Sequence, residues 1–290
     1  MTTDKINEDN YKILDLLSKY LNNVPDLIKE KEIRELVECG VSHEYSFSTI
    51  LAAAFGLDIV DNDNDKDFFN QYFSNMIHKL DEDEFYNNLY YRNIKIPTAK
   101  IGNCELKYDK YKPFEGFVCD DIIMTEDERL IPQIGFFENE FMFPAIFEND
   151  RLWMSITPNE IETMKKAVEK AFGNVLTFGL GLGYYTYMIS EKEDVSSITI
   201  VEMNESVIEL FEKYILPQFK NSHKVKIIKS DAFDYAQNHM ANGKYNFVFT
   251  DLWHDVSDGI DMYLKMKSYE KYIPNTKFMY WIEKSILCYL

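Results

Sequence analysis

The stretch VLTFGLGLGYY, residues 175–185, decides the fold. A short run of strand-forming residues leads into three glycines, Gly179, Gly181 and Gly183, and an amphipathic helical pattern follows over 184–191. Glycines between a strand and a helix let the backbone turn sharply and approach a ligand at the N-terminus of the helix. We therefore expect a buried strand, a ligand-binding loop and a helix in succession.

Short apolar strands and helical stretches continue to alternate along the rest of the chain. The strands are ITIVE (198–202), VKIIKSD (225–231), NFVFTD (246–251) and a last one at 277–282, with helical patterns over 205–215 and 232–240. Continuous apolar strands separated by helices indicate a parallel sheet covered on both faces. The predicted fold class is α/β, with a Rossmann-like, doubly wound, mostly parallel sheet.

An acidic residue stands at the end of three consecutive predicted strands. These residues are Glu202, Asp231, which precedes Ala232, and Asp251. Ligands of doubly wound sheets bind at the carboxyl ends of the strands. Glu202 follows Gly183 by 19 residues, a spacing that suits a carboxylate accepting both hydroxyls of a ribose. Each acid alone could be an exposed strand-end residue or a helix cap, but the ordered set predicts a nucleoside-containing cofactor.

The loop spacing distinguishes between cofactors. Dinucleotide sites use G-x-G-x-x-G, whereas this loop reads G-x-G-x-G, with Tyr184 at the sixth position. On VLTFGLGLGYY, ITIVEMNESVIELF, IIKSDAFDYA and YNFVFTDLWHD, the segment 175–255 resembles the class I S-adenosylmethionine-dependent methyltransferases. Within that superfamily it is most similar to the spermidine synthase-like branch.

The resemblance implies S-adenosylmethionine as cofactor and assigns a role to each matching residue. The loop glycines would pass under the methionine portion, Glu202 would hold the ribose, and Asp251 would face the reacting end. Asp231 would accept a hydrogen bond from the adenine amino group, while the backbone amide of Ala232 would meet a ring nitrogen. The predicted cofactor-binding residues are thus Gly179, Gly181, Gly183, Glu202, Asp231, Ala232 and Asp251.

Two departures from the resemblance bear on the reaction. Many methyltransferases carry an acid two residues before the first glycine, where this chain has Thr177. Spermidine synthases carry an Asp inside the glycine loop to hold the aminopropyl amine, where this chain has Leu182, an apolar side chain that cannot hold an ammonium. We therefore predict methyl transfer to a small-molecule or protein acceptor. The alternatives are aminopropyl transfer and a non-catalytic protein that binds S-adenosylmethionine.

Methyl transfer mainly requires alignment of the acceptor with the methyl group, and a base only if the acceptor must lose a proton. The candidates for that base are Asp251, His254 and Asp255. Histidine is a common proton acceptor near neutral pH, but His254 could equally make a structural hydrogen bond in a turn. The five histidines show no ligand spacing, so no metal is proposed.

Composition limits the partners. The net charge is −18, and residues 1–150 hold 15 basic and 31 acidic side chains, against 16 and 18 in residues 151–290. Such a chain is repelled by phosphate backbones, so nucleic acid is an improbable partner. A cationic or neutral small molecule, or a protein, is compatible with the negative electrostatic field of such a chain, although the acidic residues could serve solubility alone. Without a run of apolar residues long enough to cross a bilayer, we expect a cytoplasmic protein with no membrane partner, which could form a homodimer.

The front of the chain has a different pattern. Residues 1–93 are predicted as a helical region with breaks at Pro25 and Gly40, residues 94–156 as β-hairpins, and residues 157–290 as the cofactor-binding domain. Thr157 and Glu160 are expected to form a capping box on a helix that runs to Gly173. After the last strand too few residues remain for another hairpin. The sheet is therefore either short or completed by strands from 94–156.

Overall fold

The computed structural model describes residues 3–23 and 28–290. This part of the chain divides into two compact units. The first comprises the described residues up to Glu84 together with Lys110–Met142, and the second comprises Phe85–Asp109 and Phe143–Leu290. The boundaries predicted after residues 93 and 156 stay a prediction.

The secondary structure is as follows. The helices are α1 (Thr3–Asn23), α2 (Glu30–Glu38), α3 (His43–Ala54), α4 (Asp63–Tyr72), α5 (Glu82–Tyr86), α6 (Leu89–Asn93), α7 (Pro158–Lys170), α8 (Tyr184–Ser190), α9 (Glu205–Leu210), α10 (Ala232–Asn238), α11 (Val256–Lys267) and α12 (Glu283–Leu287). The strands are β1 (Ile77–Lys79), β2 (Ala99–Ile101), β3 (Cys104–Tyr111), β4 (Phe117–Met124), β5 (Leu130–Phe136), β6 (Phe141–Glu148), β7 (Arg151–Ser155), β8 (Gly173–Phe178), β9 (Val195–Glu202), β10 (Val225–Lys229), β11 (Phe247–Thr250) and β12 (Lys277–Tyr280).

The first unit packs α1 to α4 with a three-stranded sheet of order β1-β5-β4. Its core is rich in aromatic side chains, and the ring of Phe47 stacks on Phe136 at 4.8 Å. Strand β1 lies inside the segment expected to be wholly helical, because its pairing with β5 overrides the local helical pattern. Gly40 follows α2 with a φ of +89°, as its predicted role as a break requires, whereas Pro25 lies outside the described residues.

The second unit contains the parallel sheet that the sequence predicts. Its order is β10-β9-β8-β11-β12, and every neighbouring pair is parallel. Counted along the sheet in chain order this is 3-2-1-4-5, the doubly wound arrangement whose ligand site lies at the carboxyl ends of the central strands. The predicted α/β fold with a Rossmann-like sheet is thereby confirmed.

The strands before residue 156 do not extend this sheet. They form the three-stranded sheet of the first unit and a separate four-stranded sheet of order β2-β3-β6-β7, in which β6 and β7 make an antiparallel hairpin. In the described part of the chain, the parallel sheet therefore has five strands, with β12 at one edge. Of the two possibilities left by the sequence, the short sheet is the one observed.

Helix α7 begins after Thr157 as predicted, but the prediction of a capping box is wrong. The side chain of Thr157 accepts no hydrogen bond from the helix, so Glu160 is not the second half of a reciprocal cap. The helix also ends at Lys170 rather than at Gly173, which instead opens β8 with a φ of +66°. Glu160 therefore takes no part in a reciprocal cap, and it lines a cavity of the second unit instead.

Within residues 3–23 and 28–290, the structure holds no helix that combines the length and the apolar character needed to span a membrane. The same residues contain no group of three or more His, Cys, Asp or Glu side chains arranged to bind a metal ion.

Candidate active site

A cavity of about 680 Å³ opens in the second unit, where the loops after β8, β9 and β11 meet. Its volume lies within the range of roughly 300–1,000 Å³ that is usual for small-molecule sites. The wall includes the glycine loop from Gly179 to Leu182, the residues around Glu202 and the segment Asp251–His254. Side chains from the hairpin β6–β7 and from α7 complete it.

The three loop glycines have positive φ angles, +94° at Gly179, +53° at Gly181 and +74° at Gly183. A Cβ atom at Gly179 would collide with the backbone carbonyl of Asp251. One at Gly181 would meet only the Sδ atom of Met154, at 3.7 Å, so the space above this residue is open. The loop is therefore a cradle that a side chain at Gly181 would fill, which fits the close approach of a ligand to the backbone.

The carboxylate of Glu202 is tied to the glycine loop. It accepts hydrogen bonds from the backbone N–H groups of Leu180 at 3.2 Å, Met203 at 2.8 Å and Asn204 at 2.7 Å. A carboxylate offers about four acceptor positions, so these donors leave roughly one for a ligand. Glu202 is 8% exposed and lines the cavity, which places an ionisable acceptor at the end of β9.

Two further carboxyl groups line the same cavity, those of Asp251 and Glu160. Burial, together with the charge of Glu202, raises the pKa of Asp251 to about 7. Burial and the charge of Asp251 raise the pKa of Glu160 well above its usual value. Burial and mutual repulsion oppose full ionisation, so this group of acids favours retention of a proton.

Glu160 is a candidate site residue that the sequence reasoning missed. Its position, three residues after Thr157, assigned it to the capping box. No second pattern in the sequence marks it, because its place in the cavity depends on how α7 packs against α8.

His254 lines the cavity and also pairs with Asp258, which is not part of the cavity wall. Its Nδ1 atom lies 2.9 Å from Oδ2 of Asp258, and its ring meets Trp153 edge-on with centroids 4.5 Å apart. Burial alone would raise the pKa of Asp258, but hydrogen bonds from His254 and the Asp255 backbone outweigh that effect and lower it. The structural hydrogen bond considered for His254 is thus present, and its role as a base stays a prediction.

Four of the predicted site residues lie outside the cavity wall: Gly183, Asp231, Ala232 and Asp255. Asp231 caps α10 by accepting a 2.9 Å hydrogen bond from the backbone of Asp234. Asp255 caps α11 through Ser257 at 2.6 Å, in a capping box closed by Asp258. The adenine contacts of Asp231 and Ala232, and a catalytic role for Asp255, stay predictions.

Aromatic residues form much of the wall. All three tryptophans of the chain line the cavity, as do Tyr184 and Tyr185. The Oη atom of Tyr185 and the Nε1 atom of Trp253 are buried and have no hydrogen-bond partner. Among the described residues, no lysine or arginine belongs to the wall, although four acids do. The cavity therefore suits a ligand that carries positive charge and flat apolar surface.

Residues 88–93 support the glycine loop and the helix α8 that follows it. The hydroxyl of Tyr90 donates to the carbonyl oxygen of Leu182 at 2.6 Å, and the side chain of Asn88 donates to Tyr184 Oη at 3.1 Å. Asn93 makes a similar 2.8 Å hydrogen bond to Tyr187 Oη. The sequence reasoning assigned this segment to the helical front region and missed its contribution. The run of asparagines and tyrosines at 87–93 was the available signal.

Comparison with known proteins is consistent with this geometry. Residues 157–272 match the family model of the spermine/spermidine synthase domain. No curated protein sequence matches the chain. A solved structure from Klebsiella pneumoniae, named as a candidate O-methyltransferase, is 13% identical with a TM-score of 0.27. The match covers 33% of this chain and 43% of that one, and a likeness this weak says nothing of function.

Proposed function

We propose that this chain is a transferase that binds S-adenosylmethionine in the cavity, a proposal supported by its doubly wound parallel sheet and by the family model that matches residues 157–272. It transfers the methyl group to a small-molecule or protein acceptor. The observation that carries the proposal is the hydrogen-bonded unit of Glu202 and the glycine loop, which places one carboxylate beside an open backbone cradle.

The residues present fit this cofactor. The open space above Gly181 would accept the methionine portion, and the remaining acceptor position of Glu202 would take one ribose hydroxyl. The backbone N–H of Ser230 donates to the carbonyl oxygen of Glu202. Asp231 and Ala232 follow Ser230 directly, so they would be near enough to Glu202 to contact the adenine ring of a nucleoside whose ribose binds there.

When bound, the cofactor supplies a sulfonium whose methyl group is already activated, so the protein has to align the acceptor and exclude water. The aromatic wall would orient the acceptor. Asp251 would take its proton on the side-chain carboxylate, because a group with a pKa near 7 both accepts and releases protons at neutral pH. His254 is the second candidate for that step, from the outer end of the same segment.

Aminopropyl transfer is a second candidate function. The family model that matches residues 157–272 favours it, as does a wall without lysine or arginine, which offers no basic side chain for the cofactor's carboxylate. Leu182 argues against it, because the loop position that would hold the aminopropyl amine is apolar. Decarboxylated S-adenosylmethionine is the ligand that separates the two reactions.

The test is the melting temperature of the protein with S-adenosylmethionine, S-adenosylhomocysteine, decarboxylated S-adenosylmethionine and NAD in parallel. A ligand at a hundred times its dissociation constant adds about 2.7 kcal/mol to the free energy of unfolding, which gives a clear shift. We expect the first two ligands to stabilise the protein and NAD to have no effect. Stabilisation by the decarboxylated cofactor alone would favour aminopropyl transfer.

Glu202→Ala supplies the matched control. It should abolish the shift, whereas Glu209→Ala, an exposed acid on α9, should leave it unchanged. Retention of the full shift in Glu202→Ala would contradict the assignment of this pocket. Mass spectrometry would detect methylation of the acceptors. If the protein binds the cofactor but methylates none of a broad panel of acceptors, the non-catalytic alternative is favoured.

A further inference from the structure

The proposed cofactor carries an ammonium group that needs an acceptor. The two places where related proteins keep an acid for such a group are occupied here by Thr177 and Leu182. Thr177 is buried, and its hydroxyl makes a 3.5 Å contact with the carbonyl oxygen of Gly179. Leu182 is apolar and 3% exposed. The loop itself therefore provides no carboxylate for the ammonium.

Glu160 is a carboxylate that the fold brings to the same cavity as these two positions. It sits in the first turn of α7 and lines the cavity together with Gly179, Gly181 and Leu182. Since the side chain of Thr157 does not cap the helix, no reciprocal cap accounts for the position of Glu160. Helix α7 thus delivers an acid that the glycine loop lacks.

The charges around Glu160 favour a cationic ligand. The other acids that act on this part of the cavity are Asp251 and Glu202, and the wall holds no lysine or arginine. Removing several carboxyl groups from water without a counter-charge is unfavourable, so these acids favour their protonated forms. An ammonium group would offset the repulsion and allow these acids to ionise.

An unpartnered polar group in the same wall also points to a ligand. Tyr185 is 6% exposed, its ring lies 4.2 Å from that of Phe249, and its hydroxyl has no hydrogen-bond partner. Trp253, at 4% exposed, leaves its Nε1 group unpartnered as well. Buried polar atoms are normally satisfied, so unpaired groups in a cavity wall are expected to find partners on a bound molecule.

We propose that Glu160 is the residue that binds the ammonium group of the cofactor, in place of the acid missing from the glycine loop. This inference rests on the proposed function, because it requires that the cavity binds S-adenosylmethionine or its decarboxylated form. It assigns to α7 a part in cofactor binding, with Glu160 as a specificity-determining residue.

Calorimetric titration with two ligands tests the inference. S-adenosylhomocysteine carries the ammonium group, and its deaminated analogue keeps the carboxylate but lacks the ammonium. Glu160→Gln should weaken binding of S-adenosylhomocysteine roughly tenfold or more, since hydrogen bonds to charged groups are the stronger ones. It should leave the affinity for the deaminated analogue within about twofold of the unmodified protein.

Glu162→Gln is the matched control, because Glu162 lies two residues further along α7 and pairs with Lys165 at 2.6 Å. This variant should bind both ligands like the unmodified protein. Glu160→Asp, which keeps the charge on a shorter side chain, should fall between the unmodified protein and Glu160→Gln. Binding of the deaminated analogue by Glu160→Gln also shows that the variant is folded.

The outcomes separate the two proposals. If the unmodified protein binds neither ligand, the proposed function fails. If it binds S-adenosylhomocysteine and Glu160→Gln binds it equally well, the role of Glu160 is wrong while the proposed function stands. Equal losses for both ligands in Glu160→Gln would also contradict the inference, because they would indicate a general effect on the cavity.

Discussion

The hydroxyl of Tyr90 donates a 2.6 Å hydrogen bond to the carbonyl oxygen of Leu182, which joins α6 to the glycine loop. Tyr90 is fully buried, and burial raises the pKa of its hydroxyl well above the usual value, so this group remains a donor. The loop that would bind the cofactor is therefore held by a residue 92 positions earlier in the chain. This contact leads to the first prediction.

Tyr90→Phe should destabilise the protein by about 1 kcal/mol, because the Leu182 carbonyl loses its buried donor. It should also weaken S-adenosylhomocysteine binding, since the loop is less firmly placed. Chemical denaturation and calorimetric titration measure the two effects. Tyr11→Phe, at a side chain that is 76% exposed, is the control and should change neither. Unchanged binding in Tyr90→Phe would show that α6 does not organise the site.

The glycines of the loop should respond differently to alanine. Gly181→Ala should fold, with a loss of about 1–2 kcal/mol for the positive φ, but should lose most of its cofactor affinity because the methyl group enters the cradle. Gly179→Ala should be much less stable, because its Cβ collides with the Asp251 carbonyl. Thermal unfolding and titration separate these effects. Normal affinity in Gly181→Ala would mean that the ligand does not approach the loop.

The raised pKa of Asp251 predicts a pH dependence of stability. The carboxyl has a pKa of about 7 in the folded protein and a lower one, near 3.8, when unfolded, so the folded state binds the proton more tightly. Its contribution is therefore most favourable at low pH and is lost as the pH rises towards 7. Glu202 and Glu160 are the neighbouring acids that act with it.

Asp251→Asn should remove this dependence. The difference in unfolding free energy between the variant and the unmodified protein should shift by on the order of 2 kcal/mol in favour of the variant when the pH rises from about 5 to about 8. Denaturant unfolding at both pH values measures the difference. Asp261→Asn, an exposed position on α11, should show no such gain. An equal effect of Asp251→Asn at both pH values would show that the carboxyl is not held protonated in the folded state.

Trp153, Trp253 and Trp281 all line the cavity, so the chain has a built-in reporter of binding. Addition of S-adenosylhomocysteine should give a saturable change in tryptophan emission, with a midpoint equal to the calorimetric dissociation constant. NAD should give none. If emission does not change while calorimetry detects binding, the ligand occupies another part of the molecule.

The parallel sheet could be predicted because each of its strands is a short apolar run bounded by turn or cap residues. The loop and Glu202 were found for the same reason, since both lie directly at strand ends. Glu160 and Tyr90 could not be found that way. The role of Tyr90 depends on its contact with the loop, and that of Glu160 on the packing of α7 against α8, which local pattern does not encode.

The acids at the other strand ends show the limit of the same reasoning. Asp231 follows strand β10 and Asp255 follows strand β11, but their side chains cap the helices that come next. Cap preference and ligand binding select the same residue types at these positions, so sequence alone does not distinguish them. In the same way, the expected capping box at α7 gave a local explanation for an acid that instead faces the cavity.

The most direct test of the account is a crystal structure of the protein with S-adenosylhomocysteine. We predict a ribose hydroxyl at the carboxylate of Glu202, the amino acid portion above Gly181, and the ammonium group at Glu160. A nucleoside bound away from the glycine loop, or a ribose without contact to Glu202, would contradict the central claim.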